Sequence, residues 1–151
     1  MNYLDKAIQI ATTAHSNQVD KAGKPYILHP LRVMFKMDTE TEMIVAVLHD
    51  IMEDCKGITA YYLEKEGFAE DIVNTLIVLN RHNYQDYDAY IYEVAKNPIA
   101  RKVKMADIVD NINVLRLDSV EEKDILRIVK YHKAYNYLKQ YHNPKEIVDI
   151  V

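Results

Sequence analysis

The chain has 151 residues, 49% hydrophobic and 28% charged, a balance that suits one folded domain with one core and excludes a disordered chain. A net charge of −4 and a pI near 5.8 argue against binding nucleic-acid polymers, which needs a surplus of Lys and Arg on one face. No apolar run approaches the ~20 residues of a membrane span, the first residues lack the pattern of a signal peptide, and the one cysteine, Cys55, allows no intrachain disulfide and fits a reducing cytoplasm.

Leu4, Ala7, Ile8, Ala11 and Ala14 recur at three- and four-residue steps and predict an amphipathic helix over 3–15, with His15 at its C-terminus, where a capping role is the ordinary one. Gly23 and Pro25 mark a turn in a loop that carries Lys21 and Lys24. Pro30 fits the first turn of a second helix, 29–37, and puts His29 at its start. Thr39 and Thr41 precede a third helix, 40–51, whose apolar run leads into His49-Asp50. Thr59 is an N-cap for 60–66, and Gly67 stops that helix. Ile72, Val73, Leu76, Ile77 and Leu79 predict a helix over 71–80, followed by a polar loop and a helix at 86–96. After Asn97-Pro98, Ile99 to Leu115 reads as helix, with Asp107 and Asn111 on one face. Ser119 to Glu122 has capping-box spacing and starts the longest helix, 120–142. Ile125, Ile128, Val129, His132, Tyr135 and Leu138 lie near one stripe of it, and Pro144 follows. No segment alternates like a strand, so the expectation is an all-α domain, residues 1–151, of seven or eight helices.

The stretch Val45-Ala46-Val47-Leu48-His49-Asp50-Ile51-Met52-Glu53-Asp54 stands out. An apolar helix ends in one imidazole and three carboxylates, and buried acids need a partner: they either turn to water or hold a cation. Taken singly, His29, His49-Asp50 and Asp107 are weak signals. His29 also fits a cap or a packed core residue, and Asp107 a surface acid paired with a nearby Lys. Tyrosines cluster at 84–92 and 131–141, where amphipathic packing explains them better than base stacking. Cys55 is read as an ordinary thiol, and His82, His132 and His142 as structural or exposed.

In order, the blocks are Ala14-His15 with Gln18, Gly23-Lys24-Pro25-Tyr26-Ile27-Leu28-His29-Pro30, Leu48-His49-Asp50-Ile51-Met52-Glu53-Asp54, and Val103-Lys104-Met105-Ala106-Asp107 with Asn111. Together they resemble the HD superfamily of metal-dependent phosphohydrolases, and more closely the hydrolase domain of RelA/SpoT homologues and small alarmone hydrolases. The resemblance implies a single HD-domain helical bundle. It implies that His29, His49, Asp50 and Asp107 are ligands of one divalent metal, typically Mn²⁺. Glu53 and Asp54 would be the acid pair beside the nucleophilic water, with Asn111 supporting the site. The implied reaction removes the 3′-pyrophosphate of ppGpp or pppGpp. A 151-residue chain leaves no room for the family's synthetase domain.

Two imidazoles and two carboxylates without a thiolate suit Mn²⁺ or Fe²⁺ and allow Zn²⁺. Lys21, Lys24 and Lys104 are candidates for the leaving pyrophosphate, with Arg32 and Arg116 behind them; a solvated role fits each equally well. The departures from the alarmone pattern fall near the substrate. Asp20 stands where the family usually has an Arg that can stack on guanine, Ile108 where it has Arg, and Val114 where it has Thr. Hydrolysis of another nucleotide or phosphoester is therefore the alternative, and a non-catalytic helical binding module a third. The partner is a small phosphorylated molecule, and a homo-oligomer is compatible with the sequence.

Overall fold

The computed structural model describes residues 1–142. Among them all regular structure is helical: α1 (Tyr3–Ala14), α2 (Leu28–Phe35), α3 (Glu40–Leu48), α4 (Ile51–Asp54), α5 (Ala60–Lys65), α6 (Glu70–Leu79), α7 (Tyr87–Lys96), α8 (Pro98–Asn111) and α9 (Glu122–Gln140). With α3 and the single turn α4 taken as one interrupted helix there are eight, as expected. Pro144 lies outside the described residues. No helix among them is long and apolar enough to cross a membrane.

α3 is the centre of the bundle and packs against α1, α2, α6 and α8. Thr39 starts it: its hydroxyl accepts from the Glu42 amide at 3.2 Å, and Glu42 Oε2 accepts from the Thr39 amide at 3.2 Å, a reciprocal cap that satisfies two free donors. Ile44 to Leu48 are all buried, which is why the run shows no polar face. Fully burying each such side chain contributes about 1.5–3 kcal/mol. This rigid, dry helix delivers His49 and Asp50 to one end of the bundle.

The break differs from the expected continuous helix over 40–51. His49 and Asp50 stay in right-handed backbone, but Asp50, at φ −98° and ψ −2°, leaves the regular ladder before α4 resumes. The helix expected over 99–115 ends at Asn111, and Val114–Arg116 form a separate 3₁₀ turn. Asn97 caps α8 with its side chain, and Pro98 occupies the first turn, where a missing N–H costs nothing. The capping box expected at Ser119 shifts by two residues: Asp124 Oδ2 accepts from the Glu121 amide at 2.9 Å. The stripe expected on α9 is only partly buried. Leu138 is covered, whereas Ile125 and Val129 are exposed, because the neighbours of α9 are α7 and α8 alone among the closely packed helices.

The loop from α1 to α2 is pinned. Val19 and Pro25 form an isolated antiparallel bridge. The Tyr26 amide donates to Gln18 O at 2.9 Å, and Gly23 takes φ +76° so that the Asp20 and Lys24 main chains can pair. Asp20 Oδ1 accepts from the amides of Ala22 and Lys24, both at 2.9 Å, an Asx-type arrangement that ties the loop to itself.

Candidate metal centre and active-site cavity

Four side chains far apart in sequence converge. His29 comes from the first turn of α2, His49 and Asp50 from the break after α3, and Asp107 from the middle of α8. One donor atom from each lies within 4.8 Å of all the others, so the group could hold a metal ion. His29 Nε2 is 2.9 Å from Asp107 Oδ1 and 3.5 Å from Asp50 Oδ2; His49 Nε2 is 3.3 Å and 3.1 Å from the same two oxygens. Ligands about 2.1 Å from a six-coordinate ion sit roughly 3 Å apart at adjacent positions, so the spacing fits.

The tautomers fit as well. His49 Nδ1 is 2.6 Å from the Ala46 carbonyl, which can only accept, so Nδ1 carries the proton and Nε2 can present its lone pair to the cluster. His29 Nδ1 is 2.6 Å from Asp110 Oδ2, with the same consequence. His29 Nε2 has no aligned hydrogen-bond partner although it is buried, as suits an atom aimed at a cation. Burial would pull both imidazoles down, but the carboxylates around them outweigh it: Asp107, Asp110 and Asp50 hold His29 at about 11, and Asp50 and Asp107 hold His49 at about 10. The cluster therefore demands positive charge at its centre, which protons or a divalent cation can supply.

The acids beside it are also organised. Asn111 Nδ2 donates to Asp107 Oδ1 at 2.8 Å. Lys104 Nζ lies 2.7 Å from Asp107 Oδ2 and 5.2 Å above the Tyr90 ring. Burial works against its charge, and the attraction of Asp107 outweighs that, so the ammonium stays protonated. The surface-acid reading of Asp107 is corrected: it is 3% exposed. Burial would raise its pKa, but Lys104 and the imidazoles keep its carboxyl well below the ordinary range. Glu53 and Asp54, on α4, are raised instead, each first by burial; Asp50 also raises both, while the Arg81 amide pulls Glu53 back.

These groups open onto a cavity of about 470 Å³. His29, Asp50, Asp107, Asn111, Glu53 and Asp54 line it, as do Lys21 and Lys104. Lys24 does not; it is exposed on the outside of its loop. Arg32 and Arg116 reach the cavity but spend their charge on Asp110. Ile108 is 1% exposed in the core, away from the cavity lining.

Several residues escaped the sequence reading. The Tyr26 hydroxyl donates to Asp50 Oδ2 at 2.5 Å; burial first and Asp50 next push its pKa upward, so it stays a neutral donor. Arg127 and Tyr131, one turn apart on α9, also line the cavity. Their i,i+4 spacing was a usable signal, obscured by the polar face around them. Asp110 shares the α8 face with Asp107 at i,i+3, which was the signal for it. His15 is the C-cap residue of α1, as expected, its amide donating to Ala11 O at 3.0 Å, and its ring is buried, with Nδ1 2.9 Å from Gln18 Oε1 and 3.5 Å from Cys55 Sγ. Cys55 itself is buried, with its thiol pushed up first by burial.

No family model matches the chain. It is 33% identical over 125 residues, 74% of its length, to the guanosine-3′,5′-bis(diphosphate) 3′-pyrophosphohydrolase of Aquifex aeolicus. It is 28% identical over 141 residues to the GTP pyrophosphokinase of Streptomyces coelicolor. It spans only 18% and 16% of those two proteins. A solved structure of a metazoan ortholog of SpoT that hydrolyzes ppGpp superposes with a TM-score of 0.77 over 95% of this chain and 89% of that one, at 20% identity, so the helical fold is shared. The chain belongs to the RelA/SpoT-related HD-domain family.

Proposed function

We propose that this domain is a divalent-metal-dependent phosphohydrolase whose substrate is guanosine 3′,5′-bis(diphosphate), from which it removes the 3′-pyrophosphate. The observation that carries the reading is the convergence of His29, His49, Asp50 and Asp107 at ligand spacing, beside two carboxylates of raised pKa in an open cavity. The Aquifex aeolicus relative, a 3′-pyrophosphohydrolase of this nucleotide, supports the substrate. The mixed nitrogen and oxygen donor set favours Mn²⁺, with Fe²⁺ or Zn²⁺ as the other candidates. A divalent ion held there supplies Lewis acidity toward a phosphoryl oxygen and acidifies water.

The residues of the chain do the rest. Glu53, fixed through one oxygen by the Arg81 amide at 2.6 Å, has its other oxygen to orient the attacking water and accept its proton, with Asp54 beside it. Such proton transfer contributes typically about 10²–10⁴-fold. Asn111 and Lys104 hold Asp107 in one orientation and spread its charge. Lys21, on the cavity lining, offers positive charge to the departing pyrophosphate and the second diphosphate, whereas Arg127, which also lines the cavity, lies 3.4 Å from Asp124.

One feature favours another nucleotide as substrate. Asp20 lines the cavity where the family's guanine-stacking Arg would stand, and a carboxylate cannot replace a cation over a base. A Mn²⁺-supplemented hydrolysis screen separates the two. Pyrophosphate release from ppGpp, lost in Glu53→Ala, is the expected result; turnover of other nucleotides or of a generic phosphodiester alone overturns the substrate. Metal analysis of protein purified without chelator tests the centre: near-stoichiometric Mn, Fe or Zn should disappear in Asp107→Ala. A wild type that resists metal loading returns the chain to a non-catalytic binding module.

A further inference from the structure

We infer that Asp110 is the positioning residue of the metal centre, holding the His29 ring with Nε2 aimed at the cation, and that Arg32 and Arg116 exist to hold Asp110. The inference rests on the ligand set proposed above.

The argument starts from spacing. On α2, His29 and Arg32 are three residues apart; on α8, Asp107 and Asp110 are three apart. Each pair therefore projects from one helix face, and α2 packs against α8. His29 Nε2 meets Asp107, at 2.9 Å, and His29 Nδ1 meets Asp110, at 2.6 Å. Both ring nitrogens thus face carboxylates from consecutive turns of one helix, but only Nδ1, at Asp110, has an aligned hydrogen-bond partner. An ionised carboxylate only accepts, so the Asp110 contact keeps the proton on Nδ1 and leaves Nε2 for the metal.

Asp110 is itself 7% exposed, and a buried carboxylate with one imidazole would be costly. Arg32 meets it as a two-pronged fork, Nε to Oδ1 at 2.8 Å and Nη2 to Oδ2 at 3.0 Å. Arg116 Nη1 lies 3.2 Å from both oxygens, and Nη2 donates to the Asp110 carbonyl at 2.6 Å. Side chain and backbone are thus both pinned, by residues from α2 and from the 3₁₀ turn. His49 has no counterpart: its Nδ1 uses the Ala46 carbonyl, which no side-chain substitution removes. Of the two imidazoles, only the orientation of His29 depends on a replaceable side chain.

The test is Asp110→Asn, which keeps the shape and removes the charge. Mn²⁺ affinity of the folded variant, measured by titration calorimetry, should fall about 10–100-fold. In the metal-free wild type, NMR should show a far-downfield ring proton on His29 Nδ1 that moves upfield in the variant, while the His49 ring proton stays. Should Asp110→Asn not fold, Arg32→Gln serves, since that side chain is 35% exposed; it should weaken Mn²⁺ roughly threefold to tenfold and shift the same proton. A role confined to tying α2 to α8 predicts a lower Tm with unchanged Mn²⁺ affinity and an unmoved His29 proton, and that result overturns the inference. A wild type that binds no Mn²⁺, Fe²⁺ or Zn²⁺ overturns the metal reading and this inference together, whereas equal binding by wild type and variant overturns this inference alone.

Discussion

The main-chain N–H of Arg81 donates to Oε1 of Glu53 at 2.6 Å. The acid sits on α4 and the amide at the start of the 3₁₀ turn after α6, so an element 28 residues away fixes one oxygen of the proposed base. The Arg81 guanidinium points elsewhere, to Tyr84 O at 2.9 Å. A general base works when ionised. Burial raises Glu53 above an ordinary glutamate, and the Arg81 amide offsets only part of this. Its ionised fraction therefore starts to fall at a higher pH than the ~4.3 of a free side chain would give. The rate should drop as pH falls through that raised value. Glu53→Gln should cost about 10²–10⁴-fold at neutral pH and remove that limb of the profile. A pH–rate profile whose acid limb is the same in Glu53→Gln counts against Glu53 as the base.

Tyr26→Phe isolates a second support. The hydroxyl is the one hydrogen-bond donor to Asp50 from the α1–α2 loop, at 2.5 Å, and a hydrogen bond to a charged group contributes about 1.5–3 kcal/mol. The variant should bind Mn²⁺ roughly tenfold more weakly by calorimetry and lose about 1.5–3 kcal/mol in urea unfolding, and no more than that, because the ring still lies against His15 and His29, with ring centroids 4.9 and 5.7 Å from theirs. Unaltered Mn²⁺ affinity would show that Asp50 needs no help from this loop.

What was legible in the sequence followed from local chemistry. The α3 run is visible because five consecutive buried residues, Ile44 to Leu48, end in charge. Thr39, Thr59 and Asn97-Pro98 mark helix starts by the amides they satisfy. The four converging donors were readable as blocks whose order matched a known pattern, not as geometry. Asp110 was not, because α8 carries Lys102, Lys104, Asp107, Asp110 and Asn111 in a row of similar polar residues, and only the helices that pack on α8, α2 among them, decide which of them is buried. Lys102 turns outward to Asp38 at 2.6 Å and Glu42 at 2.8 Å, whereas Lys104, two residues on, turns inward to Asp107. On α9 the stripe through Ile125 and Val129 was misleading for the same reason: periodicity shows a face but not whether a neighbour covers it.

Lys21 and Lys24 flank the same turn and separate on their roles. Lys21 lines the cavity and Lys24 does not. Lys21→Ala should raise KM for ppGpp about threefold to tenfold, in line with roughly 1 kcal/mol for a solvent-facing contact to phosphate, and the effect should shrink as salt is added. Lys24→Ala should leave kcat and KM within error, since its main chain, not its ammonium, pairs with Asp20. Equal effects of the two substitutions would place the anion on the loop's outer surface instead.

Stability and site should be separable by choosing positions by burial. Leu76 on α6 is fully buried, so Leu76→Ala removes its transfer energy and leaves a cavity, at a cost of about 2–5 kcal/mol in urea unfolding. Leu126 on α9 is 63% exposed, so Leu126→Ala should change stability by no more than about 0.5 kcal/mol. Neither residue touches the four donors, and Mn²⁺ affinity of the folded protein should stay at the wild-type value in both. A Leu126→Ala protein that loses 2 kcal/mol or more by this measure would mean that its side chain is covered in solution, by a second copy of the chain, and sedimentation at several concentrations would then show a dimer dissolving in the variant.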